Sequence, residues 1–167
     1  SNEYYNLARP EMLKYIVMDS KKILDIGCGT GKFSLAIKMR QNAEIWGIEK
    51  DKLIARKASE HLDKVLNIDI NNQIEGLPLS YFDCIIFNDI LEHTVNPEAI
   101  LTEIKKYLNQ NGYIVCSLPN VRYFENLLNL IILKDWKYQD SGILDKTHLR
   151  FFSIKSIKRL FEETKFK

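Results

Sequence analysis

The sequence predicts an α/β protein built on a doubly wound, mostly parallel sheet. Three observations carry that expectation. Short, near-continuous apolar runs alternate with segments of helical periodicity, the pattern of strands covered on both faces by crossover helices. A turn with glycine at 27, 29 and 31 joins the first run to the first amphipathic segment. Polar or acidic residues close four successive runs, at Asp25, Glu49, Asp69 and Asn88-Asp89, and sheets of this kind bind ligands beyond the carboxyl ends of their strands.

The 167 residues, 46% of them hydrophobic, suit one domain. A net charge of +2 is too small to point to nucleic acid or a membrane surface. The longest apolar stretch, LLNLIILKDW at 127–136, is cut by Lys134 and Asp135, short of the ~18 residues a membrane span needs. No nucleic-acid partner and no membrane span are therefore expected. Cys28, Cys84 and Cys116 are too scattered for a zinc or disulfide framework. Cys84 and Cys116 lie in apolar runs and read as buried small hydrophobes, which favours a reducing, cytoplasmic setting.

In chain order, a first helix is expected at 9–18 and a strand at 21–27. A helix at 32–40 places Phe33, Ala36 and Ile37 on one side. A strand at 43–49 and a helix at 51–62 follow, the helix burying Ile54, Ala55, Ala58 and Leu62, with Asp51 as its N-cap. Strands are expected at 64–69 and 82–89. A helix at 96–112 has Asn96 as N-cap, Pro97 at its first position and Gly112 at its exit. A fifth strand spans 113–119, helical text runs over 121–134, and a last helix at 153–164 is capped by Ser153. The stretch WKYQDSGILDK (136–146) suits a small hairpin.

The glycine turn discriminates between ligands. A dinucleotide fingerprint, G-x-G-x-x-G, needs a third glycine where Lys32 stands. A phosphate-binding G-x-x-x-x-G-K-[ST] loop fails because Phe33 follows Lys32. The pattern present is D-x-G-x-G-x-G, and a carboxylate two residues before the first glycine repels a pyrophosphate but attracts an ammonium group. Since Asp51 caps the following helix, Glu49 is left for a ligand.

On these residues the chain resembles the class I S-adenosylmethionine-dependent methyltransferases, whose fold is Rossmann-like. ILDIGCGTG (23–31) resembles their first motif, Glu49 the acid that ends their second strand, NIDI (67–70) the segment after the third, and FDCIIFNDILEH (82–93) the fourth-strand motif. The late segment DKTHLRFFS (145–153) resembles a subgroup near the ubiquinone-type O-methyltransferases. The resemblance covers residues 10–165, and the spacing of Asp25, Glu49, Asp69 and Asp89 agrees with it. It implies S-adenosylmethionine as cofactor, S-adenosylhomocysteine as product, and no metal. Asp25 then engages the amino group, while Gly27, Cys28, Gly29 and Gly31 bring backbone beneath the methionine portion. Glu49 takes the ribose hydroxyls, Asp69 the adenine amino group, Ile70 covers one face of the ring and Leu53 or Lys50 the other, and Asn88 bounds the sulfonium region through its backbone carbonyl.

Transfer to a hydroxyl needs a base that titrates near neutrality, which points to histidine. His93, after the fourth strand, and His148 are the candidates; His61 reads as a surface residue. Arg150 suits a phosphate or carboxylate on the acceptor, or else an ion pair with Asp145 or Glu92. Phe151 and Phe152 read as core. Tyr4 and Tyr5 lie in a segment that covers the cofactor in related enzymes, and Tyr123 lies in an aromatic stretch, 120–139, that suits either an acceptor cap or an interface with another domain or subunit.

The expectation is a single methyltransferase domain over 1–167, with 1–20 as N-terminal helix and cofactor cover, 21–119 as cofactor-binding core, 120–152 as acceptor cap and 153–167 as C-terminal helix. The resemblance implies a seven-stranded sheet ending in an antiparallel hairpin. No text for that hairpin follows the fifth strand, so a sheet truncated there is expected, its edge covered by an additional domain or a homodimer partner. The expected activity is O-methylation of a small-molecule, sugar or lipid-linked hydroxyl. The alternative is a non-catalytic S-adenosylmethionine-binding or scaffolding domain of a larger protein. Lys32 disfavours a nicotinamide oxidoreductase.

Overall fold

All five apolar runs are strands of one sheet in the computed structural model, which describes residues 9–72 and 74–166. They are β1 (Lys22–Ile26), β2 (Glu44–Ile48), β3 (Lys64–Leu66), β4 (Phe82–Asn88) and β5 (Leu108–Ser117). Every pairing is parallel and the order is β3-β2-β1-β4-β5. The direction of winding reverses between β1 and β4, the position where such sheets open a crevice for ligand. Ile23, Leu24 and Ile26 of β1 are all fully buried, because a central parallel strand is covered on both faces.

The helices are α1 (Lys32–Arg40), α2 (Lys52–Ala58), α3 (Pro97–Ile104), α4 (Phe124–Leu128) and α5 (Ile154–Glu163). The chain forms two compact units. The first, 1–88 with 103–117, holds the whole sheet. Its core joins Ile23, Ile45, Cys84, Ile86 and Val115 of the strands to Phe33 and Ile37 of α1, Ala58 of α2 and the neighbouring Leu62. The second unit, 89–102 with 118–167, holds α4, α5 and most of α3. Residues 89–102 thus separate from the rest of the expected 21–119 core.

Several local expectations are corrected. In place of a helix at 9–18 there is one 3-10 helix, Pro10–Tyr15. It ends where the Ile16 amide closes on Leu13, just before the β-branched Ile16-Val17 pair, which disfavours continuation. The second helix stops at Ala58 rather than at 62, and the chain turns so that the Asp63 carboxylate accepts the Ile45 amide of β2 at 2.7 Å. β3 ends at Leu66, three residues short of its expected end.

The 96–112 segment is helical only to Ile104, with a 3-10 turn at Lys105–Tyr107, and β5 starts at Leu108. Gly112 is therefore a strand residue. A Cβ there would lie 2.8 Å from the Phe82 carbonyl and 2.9 Å from Leu108 Cδ2, so the glycine permits close backbone approach. The 136–146 stretch does not form an antiparallel hairpin; Gln139 and Asp145 make a single parallel bridge. Helical text at 121–134 becomes the five-residue α4 followed by a π-helical turn, Asn129–Leu133. Cys84 is fully buried, but Cys116 is only half-buried. Asn96 caps α3 through the Ala99 amide at 2.9 Å, and Ser153 caps α5 reciprocally with Ser156. Tyr4 and Tyr5 lie outside the described residues.

Candidate functional site

The turn after β1 is built by its glycines. Gly27, Gly29 and Gly31 have φ of 71°, 54° and 80°, left-handed values that favour glycine. Gly27 and Cys28 donate their amides to the Ile48 carbonyl at 2.8 and 3.1 Å, locking the turn onto the end of β2. Gly31 then serves as N-cap of α1 with no side-chain cap. Cys28 is buried. Burial and the charges of Asp25 and Glu49 push its thiol far up, so it packs rather than reacts.

Glu49, 5% exposed, closes the other side of the turn. Its Oε2 accepts the Gly29 amide at 3.1 Å and its Oε1 accepts the Asp51 amide at 2.9 Å. Asn67 donates to the carbonyls of Glu49 and Lys50 at 2.8 and 2.9 Å, holding the residue after β2 in place. The expectation that Asp51 caps α2 holds: its Oδ1 accepts from Leu53 and Ile54.

Asp25 shares its strand face with Ile23, because side chains alternate along a strand. That face is covered by α1, and Ser34 donates to Asp25 Oδ2 at 2.6 Å. Asp25 is 2% exposed. Burial raises its pKa to about 7, Ser34 opposes the rise, and the Glu49 charge adds to it. Two buried carboxylates thus stand close enough to repel, with no cationic side chain against either among the described residues.

Asp69 does not end a strand; it lies three residues past β3. Its Oδ1 accepts both the amide and the side-chain nitrogen of Asn71 at 2.9 Å, an Asx turn that orients the carboxylate. Ile70 is half-buried and Lys50 exposed. At the end of β4, the Asn88 side-chain oxygen is shut from solvent and accepts no hydrogen bond among the described residues, an arrangement that costs about 1–3 kcal/mol. Asp89, next in the chain, has φ of 54°. A non-glycine residue in that region is uncommon and marks local strain.

The other expected residues belong to the second unit. His93, in the 3-10 turn Leu91–His93, and His148 stand edge to face with ring centroids 4.7 Å apart. Phe151 packs against His148 and Trp136, while Phe152 is buried. Burial pushes the Asp145 carboxyl up, but hydrogen bonds from Thr147 and the charges of His148 and His93 outweigh it and hold it below its usual value. Arg150 does not pair with Asp145 or Glu92 as expected; its guanidinium donates to the Val95 carbonyl at 2.6 Å. Tyr123 is exposed at the start of α4.

Sequence reasoning missed three contributors. Ser34 carries no expected role, and its signal is a hydroxyl in the first turn of the helix after an acidic strand end. Asn67 carries no expected role within the NIDI segment. Glu92 is expected within the FDCIIFNDILEH motif and as an ion-pair partner, yet it is 1% exposed, and one ligand-type atom of each of Glu92, His93 and His148 lies within 4.8 Å of the others.

The family described as "Methyltransferase domain" matches residues 4–167. An uncharacterised methyltransferase of Schizosaccharomyces pombe is 33% identical over 117 residues, covering 63% of this chain and 42% of the relative. The mitochondrial ubiquinone biosynthesis O-methyltransferase of the same yeast is 31% identical over 118 residues, covering 67% and 43%. This chain thus spans less than half the length of these two relatives. The crystal structure of a SAM dependent methyltransferase from Archaeoglobus fulgidus superposes with a TM-score of 0.75 at 22% identity, covering all of this chain and 70% of that one; at that identity the likeness speaks to the fold alone.

Proposed function

Because the chain belongs to the methyltransferase domain family, we propose that it binds S-adenosylmethionine at the β1–β2 strand ends and transfers the methyl group to a hydroxyl. One observation supports this most: Asp25 and Glu49 are buried, mutually repelling, and not matched by a cation among the described residues. A ligand that brings an ammonium and a pair of hydroxyls to a glycine-lined turn satisfies both. When bound, S-adenosylmethionine supplies an electrophilic methyl carbon on a positively charged sulfur.

The residues divide the work. Asp25 holds the amino group, and ionises as that positive charge approaches. Gly27, Cys28, Gly29 and Gly31 offer backbone at close range, since three of the four have no side chain to intervene. Glu49 keeps lone pairs for the ribose hydroxyls while its two backbone bonds hold it still; such charge-assisted bonds contribute about 1.5–3 kcal/mol each. Asp69, pre-oriented by Asn71, takes the adenine amino group, with Ile70 and Lys50 beside the ring. Asn88 bounds the sulfonium region.

On the acceptor side, His93 and His148 activate the hydroxyl, Arg150 reads an anionic group and Tyr123 contributes an aromatic surface. The acceptor is a small-molecule, sugar or lipid-linked hydroxyl. The name of the yeast ubiquinone relative favours oxygen as the methylated atom. The absence of a disulfide among Cys28, Cys84 and Cys116 fits a reducing, cytoplasmic setting, and no helix among the described residues is long and apolar enough to cross a membrane.

The test is calorimetric. S-adenosylhomocysteine should bind and NAD should not; binding of NAD alone would overturn the reading. Transfer of labelled methyl to pools of sugars, quinols and phenols then identifies the acceptor class.

A further inference from the structure

Three side chains of ligand type converge within the second unit. Glu92 is almost fully buried, and ligand atoms of Glu92, His93 and His148 lie within 4.8 Å of one another. The backbone holds the two contributing segments together: the amides of Leu149 and Arg150 both donate to the Glu92 carbonyl, at 2.8 and 3.1 Å. Residues 57 and 58 positions apart in the chain are thereby bonded, which brings the segment of His148 beside Glu92.

The hydrogen bonds also settle the tautomers. His148 Nδ1 lies 3.0 Å from the Ile143 carbonyl. A carbonyl only accepts, so Nδ1 carries a hydrogen, and in the neutral ring Nε2 carries the lone pair. His93 Nδ1 lies 3.2 Å from both the Thr147 carbonyl and the Thr147 hydroxyl oxygen. The hydroxyl hydrogen is already given to Asp145 at 2.7 Å, so Nδ1 of His93 is again the donor. Metal-ligating histidines are oriented in this way, one ring nitrogen donating to a backbone carbonyl while the other ligates.

We propose that Glu92, His93 and His148 bind a divalent first-row transition ion such as Zn²⁺, with at least one coordination position left open. Two imidazole nitrogens and one carboxylate suit such an ion better than Mg²⁺ or Ca²⁺, which take oxygen ligands. Ligand distances of roughly 2.0–2.2 Å set the span that the three groups have to enclose around the ion. Three protein ligands leave the fourth position of a tetrahedral ion for water or substrate oxygen.

The consequence for catalysis rests on the methyltransferase reading above. The acceptor hydroxyl takes the open position, and the ion lowers its pKa. Its proton leaves to solvent and its oxygen keeps the electron pair.

The experiment uses the chelator-treated chain titrated with Co²⁺ and Zn²⁺. A visible d–d band from a single bound Co²⁺, displaced by Zn²⁺, is expected. His148→Ala and Glu92→Gln should each weaken binding by about tenfold or more, whereas His61→Ala should leave it unchanged. A thiolate charge-transfer band, or undiminished affinity in both variants, overturns the site. If the variants misfold, proton NMR of the native chain decides: Co²⁺ must shift the ring signals of His93 and His148 and spare His61, and the reverse overturns the site. Binding is read without methyl transfer, so a chain that binds the ion but methylates nothing refutes the catalytic role and leaves the metal site standing.

Discussion

Glu49, at the end of β2, accepts the amide of Gly29 in the turn after β1, at 3.1 Å. A side chain from one strand end thus sets the backbone of the neighbouring one. This bond makes the glycine turn and the acidic strand end one structural object. Its disruption should therefore be felt at both ends of the bound cofactor.

Glu49→Ala removes that acceptor, the acceptor for Asp51, and the proposed ligand of the ribose hydroxyls together. The dissociation constant for S-adenosylhomocysteine should rise about tenfold or more, as measured by calorimetry. Unchanged affinity in a folded variant would remove Glu49 from the site.

Asp25 should couple stability and affinity to pH in opposite senses. Burial, aided by Glu49 and opposed by Ser34, raises its pKa from 3.8 to about 7. The folded chain then keeps a proton that the unfolded chain releases at about pH 4. The stabilising contribution is complete below the unfolded pKa and is lost as pH rises toward about 7. Urea midpoints of the ligand-free chain should fall over that window, and Asp25→Asn should flatten the decline. Affinity for S-adenosylhomocysteine should instead increase through about pH 7 as Asp25 ionises, and lose that dependence in the variant.

Gly47 of β2 is a packing requirement. A Cβ there would lie 2.6 Å from both Cys28 Sγ and Leu62 Cδ2. Gly47→Ala should cost about 1–3 kcal/mol through overpacking, read as a lower midpoint in denaturant. Because Cys28 lies in the glycine turn, cofactor affinity should fall as well.

Ser153→Ala tests the second unit without touching the proposed site residues. It removes the reciprocal cap in which Ser153 and Ser156 satisfy each other's amides. The expected loss is about 1 kcal/mol of stability, seen by thermal unfolding. S-adenosylhomocysteine affinity should stay unchanged.

The α1 boundaries, 32–40, could be read from the chain because their causes are local: a glycine turn before and apolar positions at helical spacing within. The Asp51, Asn96 and Ser153 caps were legible for the same reason, since a cap acts within three residues of itself. Gly112 misled for a complementary reason. A glycine after a helical pattern suits a helix exit, but here its use is the approach of the Phe82 carbonyl, thirty residues away in the chain. A helix is expected at 9–18, yet only a 3-10 turn, Pro10–Tyr15, forms before Ile16-Val17.

By itself the sequence determined the sheet, its Gly27–Gly31 turn and the acids Asp25 and Glu49, because alternation, backbone sterics and strand-end chemistry are written in neighbouring residues. Only the tertiary structure decided that Ser34 grips Asp25 and that Glu92 meets His148, with both histidine tautomers set by backbone carbonyls. Those relations depend on which distant segments pack together, and packing is a property of the whole buried assembly, with no period along the chain to announce it.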